Sequence, residues 1–191
     1  MSTSPGNQST TTGDAVDLLT AQHEEVRQLF AQLQGGGQGR RDTFECLVRL
    51  LAVHETAEEE VVYPALRGTG TDGDQIAEAR KAEEDEAKKM LSDLEKLGVD
   101  GDGFDAQLET FRVAVLAHAE SEEREVFPRL RQSLDADDLR SMRTALETAE
   151  AMAPTHPHPH GPESALGNIL VGPFVAVVDK VRDALRSRKT S

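Results

Sequence analysis

Along four stretches of the chain apolar residues recur every three or four positions, the period of a helix that buries one face. The first stretch predicts a helix over 14–34, with Val16, Leu19, Val26, Phe30 and Leu33 on that face and Gly35-Gly36-Gly37 as its stop. The second predicts a helix over 41–66 carrying Phe44, Leu47, Leu51, Val61 and Ala65, followed by a turn over 68–73. The third runs over 74–97 with Ala77, Ala87, Leu91 and Leu94, and a glycine-bounded loop over 98–103 leads to the fourth, which carries Phe104, Leu108, Phe111, Val115 and Val126. Four amphipathic helices joined by short loops predict an all-α fold, an up-down four-helix bundle over 14–133 with additional C-terminal helices. A shorter fifth helix is expected over 134–152, then a Pro/His-rich linker over 153–164 and a C-terminal helix and tail over 165–191. The last helix presents Phe174, Val177, Val178, Val181 and Leu185, a face expected to pack on the bundle in preference to another copy. Residues 1–13, rich in Ser, Thr and Gly, read as a disordered tail.

Polar residues interrupt these apolar stripes at matched places. His54 and Glu58 fall on the core face between Leu51 and Val61, and His118 and Glu122 fall on it between Val115 and Val126. Each pair is four residues apart, which stacks both side chains on one helix face. Both pairs open the same longer pattern, a His, a Glu four residues on, a second Glu, and then Val-Tyr-Pro or Val-Phe-Pro. The repeat extends upstream: Ala21-Gln22-His23-Glu24-Glu25-Val26-Arg27 aligns with Ala82-Glu83-Glu84-Asp85-Glu86-Ala87-Lys88, pairing His23 with Glu84. The chain therefore consists of two helix pairs, each offering one donor and then an HxxxE. A lone histidine in an apolar stripe is ordinarily a hydrogen-bonded core residue, but that does not explain four polar core positions at matched spacing. Burying an uncompensated carboxylate costs several kcal/mol, and a pair of cations supplies the compensation.

Composition narrows the partners. The net charge of −14 over 191 residues argues against nucleic acid and anionic membrane surfaces. The lone Cys46 forms no internal disulfide and suits a reducing compartment, and no secretory or membrane-spanning stretch is visible, so a cytoplasmic protein is expected. His156, His158 and His160 alternate with proline and read as a solvated linker before a surface metal site. Glu59 and Glu123 are expected to face outward or to touch the ligands from outside. Tyr63 and Phe127 are expected to plug the bundle, with a hydrogen bond from Tyr63 to the centre within reach. No P-loop, dinucleotide fingerprint or Ser-His-Asp arrangement is present.

From His23 through Pro128 the chain resembles the hemerythrin-like family, the HHE cation-binding domain. The resemblance implies two iron ions, oxo- or hydroxo-bridged, held inside the bundle; manganese and zinc also suit the ligand types. His23, His54, Glu58, His118 and Glu122 match the family pattern, which implies that Glu58 and Glu122 bridge the ions while the histidines bind terminally. The third helix departs from the pattern, because Glu84 stands where a His is expected. Either Glu84 replaces the His as a carboxylate ligand, as the internal repeat favours, or it is solvated and leaves one iron open, or the site is degenerate.

A carboxylate in place of an imidazole favours the ferric state. The expected function is thus redox detoxification of hydrogen peroxide, catalase-like, or of nitric oxide, in preference to dioxygen carriage. The alternative is a non-catalytic iron or oxygen sensor, or an oxygen-binding module. The expected partner is such a small molecule, and the protein itself a monomer or homodimer.

Overall fold

In the computed structural model, which describes residues 13–70 and 72–153, every regular element is helical. The order is α1 (Ala15–Gly35), α2 (Arg40–Ala57), α3 (Tyr63–Arg67), α4 (Gly73–Leu97), α5 (Phe104–Ser121), α6 (Phe127–Ser133) and α7 (Ala136–Met152). A π-turn at Glu58–Val62 joins α2 to α3 without a break, and a second at Glu122–Val126 joins α5 to α6. These two composite rods, with α1 and α4, are the four members of the bundle. α1 packs along α2, α4 along α5, and α7 lies across α1 and α2.

Local chemistry sets the helix ends. Asp14 caps α1 by accepting from the Asp17 backbone, and Asp17 returns the contact to the Asp14 backbone. Asp135 does the same for α7, accepting from the backbone of Asp137 and Asp138. Gly36 ends α1 at φ +66° and Gly98 ends α4 at φ +71°, a left-handed region that other residues enter only with strain.

The π-turns are the main departure from the expected uninterrupted helices over 41–66 and 104–126. In each, a backbone N–H reaches back five residues, from Tyr63 to Glu58 and from Phe127 to Glu122. The next residue is a proline, Pro64 or Pro128, which has no N–H to continue the ordinary ladder. The wider turn matters for orientation. On an ideal α-helix, five residues would carry Tyr63 about 140° away from Glu58. The π-turn instead leaves both on the inner face, with Tyr63 1% and Glu58 0% exposed.

The apolar residues form two clusters. One gathers Leu19, Val62, Tyr63, Leu66, Phe127, Leu130, Met142 and Leu146, so α7 completes it. The other gathers Phe30, Leu33, Leu47, Leu91, Leu94, Phe104 and Phe111 at the opposite end of the bundle. Gln22, His23, His54, Glu55, Glu58, Glu84 and Glu122, all buried, belong to neither cluster and form a polar layer of the interior. Every apolar residue of the four predicted stripes is buried, as are the polar residues within them except His118, which keeps an edge to solvent. The fifth helix begins at Ala136, with Leu134 in extended backbone ahead of it. The tail over 1–12, the linker beyond residue 153 and the helix predicted over 165–191 lie outside the described residues. Among the described residues, no helix is long and apolar enough to cross a membrane.

Candidate metal centre

Four rods deliver donors to one level of the interior. α1 brings His23, α2 and its π-turn bring His54 and Glu58, α4 brings Glu84, and α5 and its π-turn bring His118 and Glu122. The donors form two groups, His23-His54-Glu58-Glu122 and Glu58-Glu84-His118-Glu122, with ligand atoms within 4.8 Å of one another in each. Glu58 and Glu122 belong to both. The inner nitrogens face them: His23 Nε2 lies 3.3 Å from Glu122 Oε2, His54 Nε2 3.4 Å from Glu58 Oε1, and His118 Nε2 3.6 Å from Glu122 Oε2. Both oxygens of Glu58, Glu84 Oε2, Glu122 Oε2, His23 Nε2 and His118 Nε2 are buried without a hydrogen-bond partner. Orphaned atoms at such density are costly in a core unless something shared satisfies them.

The outer nitrogen of each imidazole is held. His23 Nδ1 donates to Glu123 Oε1 at 2.9 Å, and Arg27 steadies the same oxygen at 2.7 Å. His118 Nδ1 donates to Glu83 Oε2 at 2.9 Å, with Arg80 on the other oxygen at 2.7 Å. His54 Nδ1 donates to the side-chain carbonyl of Gln22 at 2.7 Å. Placing the proton on Nδ1 leaves the Nε2 lone pair free and aimed inward, the arrangement that a metal-binding histidine requires. Phe127 stacks on His23 with ring centroids 5.4 Å apart and fixes its plane.

The internal repeat is visible as an approximate two-fold in these contacts. Gln22 meets His54 as Glu83 meets His118, and Arg27 meets Glu123 as Lys88 meets Glu59. His23 and Glu84 occupy the same place in the two halves. Tyr63 breaks the symmetry: its hydroxyl donates to Glu84 and stands 3.1 Å from Glu122 Oε1.

Electrostatics follows from burial. Desolvation, reinforced by Glu122 and Glu84, pushes the Glu58 carboxyl well above the usual carboxylate range. Burial raises Glu84 in the same way, against the pull of Tyr63 and Lys88. Burial would also raise Glu122, but His23, His118 and His54 outweigh it and hold that carboxyl at about 2. Burial pushes His54 down to about 3, and His23 adds to the effect. The Tyr63 hydroxyl is pushed up by burial and by the neighbouring carboxylates, so it remains a donor.

Beside the donors lies a cavity of about 20 Å³, room for roughly one water-sized molecule. Val26, Leu51, Ala87, Val115 and Ala119 give it apolar walls, and His23, His54, His118, Glu84 and Glu55 give it polar ones. Burial lifts Glu55 to about 8, with Lys88 opposing. Lys88 Nζ lies 3.8 Å from Glu55 and 3.7 Å from Glu84, and it also donates to Glu59 nearer the surface.

All six predicted site residues, His23, His54, Glu58, Glu84, His118 and Glu122, come together here. Glu84 is buried while its neighbours Asp85 and Glu86 are exposed, which separates it from the acidic run around it. Glu123 touches His23 from outside and Glu59 receives Lys88. Sequence reasoning missed Gln22, Glu55 and Glu83 as contributors to the site. The internal repeat held a signal for two of them, because it aligns Gln22 with Glu83 immediately before the paired donors.

Comparison with known proteins bears on this geometry. A sequence profile of the hemerythrin HHE cation-binding domain matches residues 14–130. An uncharacterised hemerythrin-like protein of Schizosaccharomyces pombe is 29% identical over 136 residues, covering 71% of this chain and 67% of that protein. A protein of a Nostoc species described as a DNA nickase is 25% identical over 137 residues, which are 71% of this chain but only 38% of the Nostoc protein. The crystal structure of a hemerythrin HHE cation-binding domain-containing protein from Mycobacterium kansasii superposes with a TM-score of 0.64 at 20% identity, covering 88% of this chain and 99% of that one. That structure shares the fold. With the profile spanning most of the bundle and the His/Glu groups inside it, the chain belongs to the hemerythrin HHE cation-binding domain family.

Proposed function

We propose that this chain is a non-haem di-iron protein that disposes of peroxide. His23, His54, Glu58 and Glu122 hold one ion; Glu58, Glu84, His118 and Glu122 hold the other. The observation that carries the reading is the pair of overlapping donor groups, whose buried inner atoms have no other partner and share two carboxylates. The donor chemistry fits a pair of hard or borderline cations, imidazole nitrogen and carboxylate oxygen being common ligands for both. Bound iron supplies the change between ferrous and ferric states that lets two molecules of hydrogen peroxide become one dioxygen and two waters.

The protein's own residues orient and exclude. Glu123, Gln22 and Glu83 keep the Nδ1 proton on His23, His54 and His118, so each Nε2 stays available. Tyr63 holds the Glu84 carboxylate in place. The apolar cavity walls keep bulk water out and admit a molecule of about peroxide size. Dioxygen and nitric oxide are of similar size, so the cavity does not choose among them. Glu84 supports the choice, since an anionic oxygen in place of a neutral nitrogen favours the ferric state over a resting ferrous pair.

Elemental analysis of iron-loaded protein, followed by peroxide turnover measured as dioxygen release, tests the proposal. About two irons per chain with rapid dioxygen release are expected. A stable, fully reversible adduct with dioxygen and no peroxide turnover refutes it.

A further inference from the structure

Two of the three imidazoles are held by acceptors of a single polarity. Glu123 and Glu83 are carboxylates, and an ionised carboxylate only accepts, so His23 and His118 have no choice but to donate from Nδ1. His54 is different, because its partner Gln22 is an amide, which accepts at one end and donates at the other. Turned round, Gln22 would present its NH₂ to Nδ1, and the proton would belong on Nε2, where it blocks a ligand's lone pair. Something must choose the orientation. Glu150, in the last turn of α7, accepts from Gln22 Nε2 at 2.7 Å. That contact turns the NH₂ away from His54 and presents the carbonyl, so Nδ1 carries the proton and Nε2 faces Glu58 Oε1 at 3.4 Å.

We propose that Glu150 is a positioning residue for the centre: through Gln22 it dictates which nitrogen of His54 carries the proton. Glu150 lies beyond the stretch matched by the family profile, which ends at residue 130, so α7 contributes to the site as well as covering one flank of the bundle. The two-fold of the site shows what is replaced. At Glu83 the acceptor is fixed by its own charge and steadied by Arg80 in the same helix. At the equivalent Gln22 the charge has moved one residue outward, onto a separate helix. The consequence for metal rests on the di-iron reading above; the consequence for the tautomer does not.

The test uses the full chain labelled with ¹⁵N and stripped of metal with a chelator. Long-range ¹H–¹⁵N correlation reads the imidazole tautomers at neutral pH directly. Wild-type His54 is expected as the Nδ1–H form. Glu150→Leu, close in size, should bring in the Nε2–H form at His54 while His23 and His118 stay as they are. The exchanged pair Gln22→Glu with Glu150→Gln sets an accept-only carboxylate against His54 Nδ1 and should preserve the wild-type pattern. Helical circular dichroism checks that each variant folds, and Glu150→Ala repeats the experiment without a larger apolar side chain. Ferrous titration of the same proteins should show one of the two ions bound roughly 10–100-fold more weakly in Glu150→Leu, the usual loss when an outer partner of a ligand is removed. An unchanged His54 tautomer in both Glu150→Leu and Glu150→Ala overturns the proposal, and so does an exchanged pair that shows the Nε2–H form at His54. A tautomer shift as described in a protein that binds no metal leaves this inference standing and removes the di-iron reading instead.

Discussion

Metal-stripped protein should become less stable as the pH rises from 6.5 to 8, the reverse of ordinary acid denaturation. In the folded chain, burial keeps protons on Glu58 and Glu84 well above the usual carboxylate range and on Glu55 up to about 8. In the unfolded chain all three are ionised by pH 6.5. A group whose folded pKa is raised gives stability that is complete below its unfolded pKa and is lost as the pH climbs to the folded one. His54 works in the opposite direction. It is buried neutral, with its pKa lowered to about 3, so below pH 6.5 the unfolded chain takes up a proton that the fold refuses. That offset ends near 6.5, which leaves the carboxyls alone in the window above. Each retained proton is worth about 1.4 kcal/mol per pH unit, so roughly 2 kcal/mol per carboxyl across the window. For a folded unit of this size the melting temperature should fall by about 4–8 °C for each carboxyl that keeps its proton. Reconstitution should remove the share of the trend that Glu58 and Glu84 carry and leave only that of Glu55, because cations displace the protons from Glu58 and Glu84 and metal uptake then becomes more favourable as pH rises. Scanning calorimetry at half-unit pH steps, on chelated and reconstituted protein, makes the comparison. A melting temperature of the chelated protein that is flat or rises over the window refutes the assignment of buried protons.

Three further substitutions probe separate parts of the argument. Glu84→His exchanges the carboxylate of the second donor group for an imidazole; it should slow peroxide turnover and lengthen the lifetime of any dioxygen adduct, both read spectrophotometrically. Tyr63→Phe removes the hydroxyl from Glu84 and Glu122. It should destabilise the chelated protein by about 1–3 kcal/mol in denaturant unfolding, since a buried carboxyl loses its donor. Asp14→Ala removes the cap of α1, far from the centre, and should cost about 1 kcal/mol with no change in iron content or turnover.

The bundle was legible because its stripes are long and their period is unambiguous. Leu47, Leu91, Phe104 and Phe111 had no other plausible place, and the structure buries each of them. The six donors were legible for a related reason, since a His and a Glu where the period demands an apolar residue stand out. What surrounds them was harder to see. Glu83 belongs to an acidic run that looks solvated, and its contacts with His118 Nδ1 and Arg80 distinguish it. Glu55 follows His54 and on helical geometry alone should leave the core; the approach of Lys88 from α4 and the shape of the cavity keep it inside. The docking of α7 depended on contacts 128 residues apart, Gln22 with Glu150, which no local pattern announces. The π-turns left only a faint trace, three consecutive buried residues Val61-Val62-Tyr63 where an amphipathic helix should bury one or two.

Those π-turns also behave like single-residue insertions carried within the helices. Each lets the rod absorb one residue more than an α-helix of the same rise would hold, so the chain after it is reset by about one residue's rotation, roughly 100°. Deleting one residue between Glu58 and Tyr63 would restore regular helix and leave Glu58 and Glu122, the carboxylates common to both donor groups, on their faces. With four residues in place of five, Tyr63 would stand only about 40° round from Glu58, so it would stay on the inner face beside Glu84, and Leu66 would stay in the cluster it shares with Phe127 and α7. In an alignment such a deletion would pass for a trivial gap in a helix. In three dimensions it is equally mild; what would separate the donor layer from the end of the bundle that α7 covers is keeping all five residues and forcing them into regular α-helix, which carries Tyr63 about 140° round.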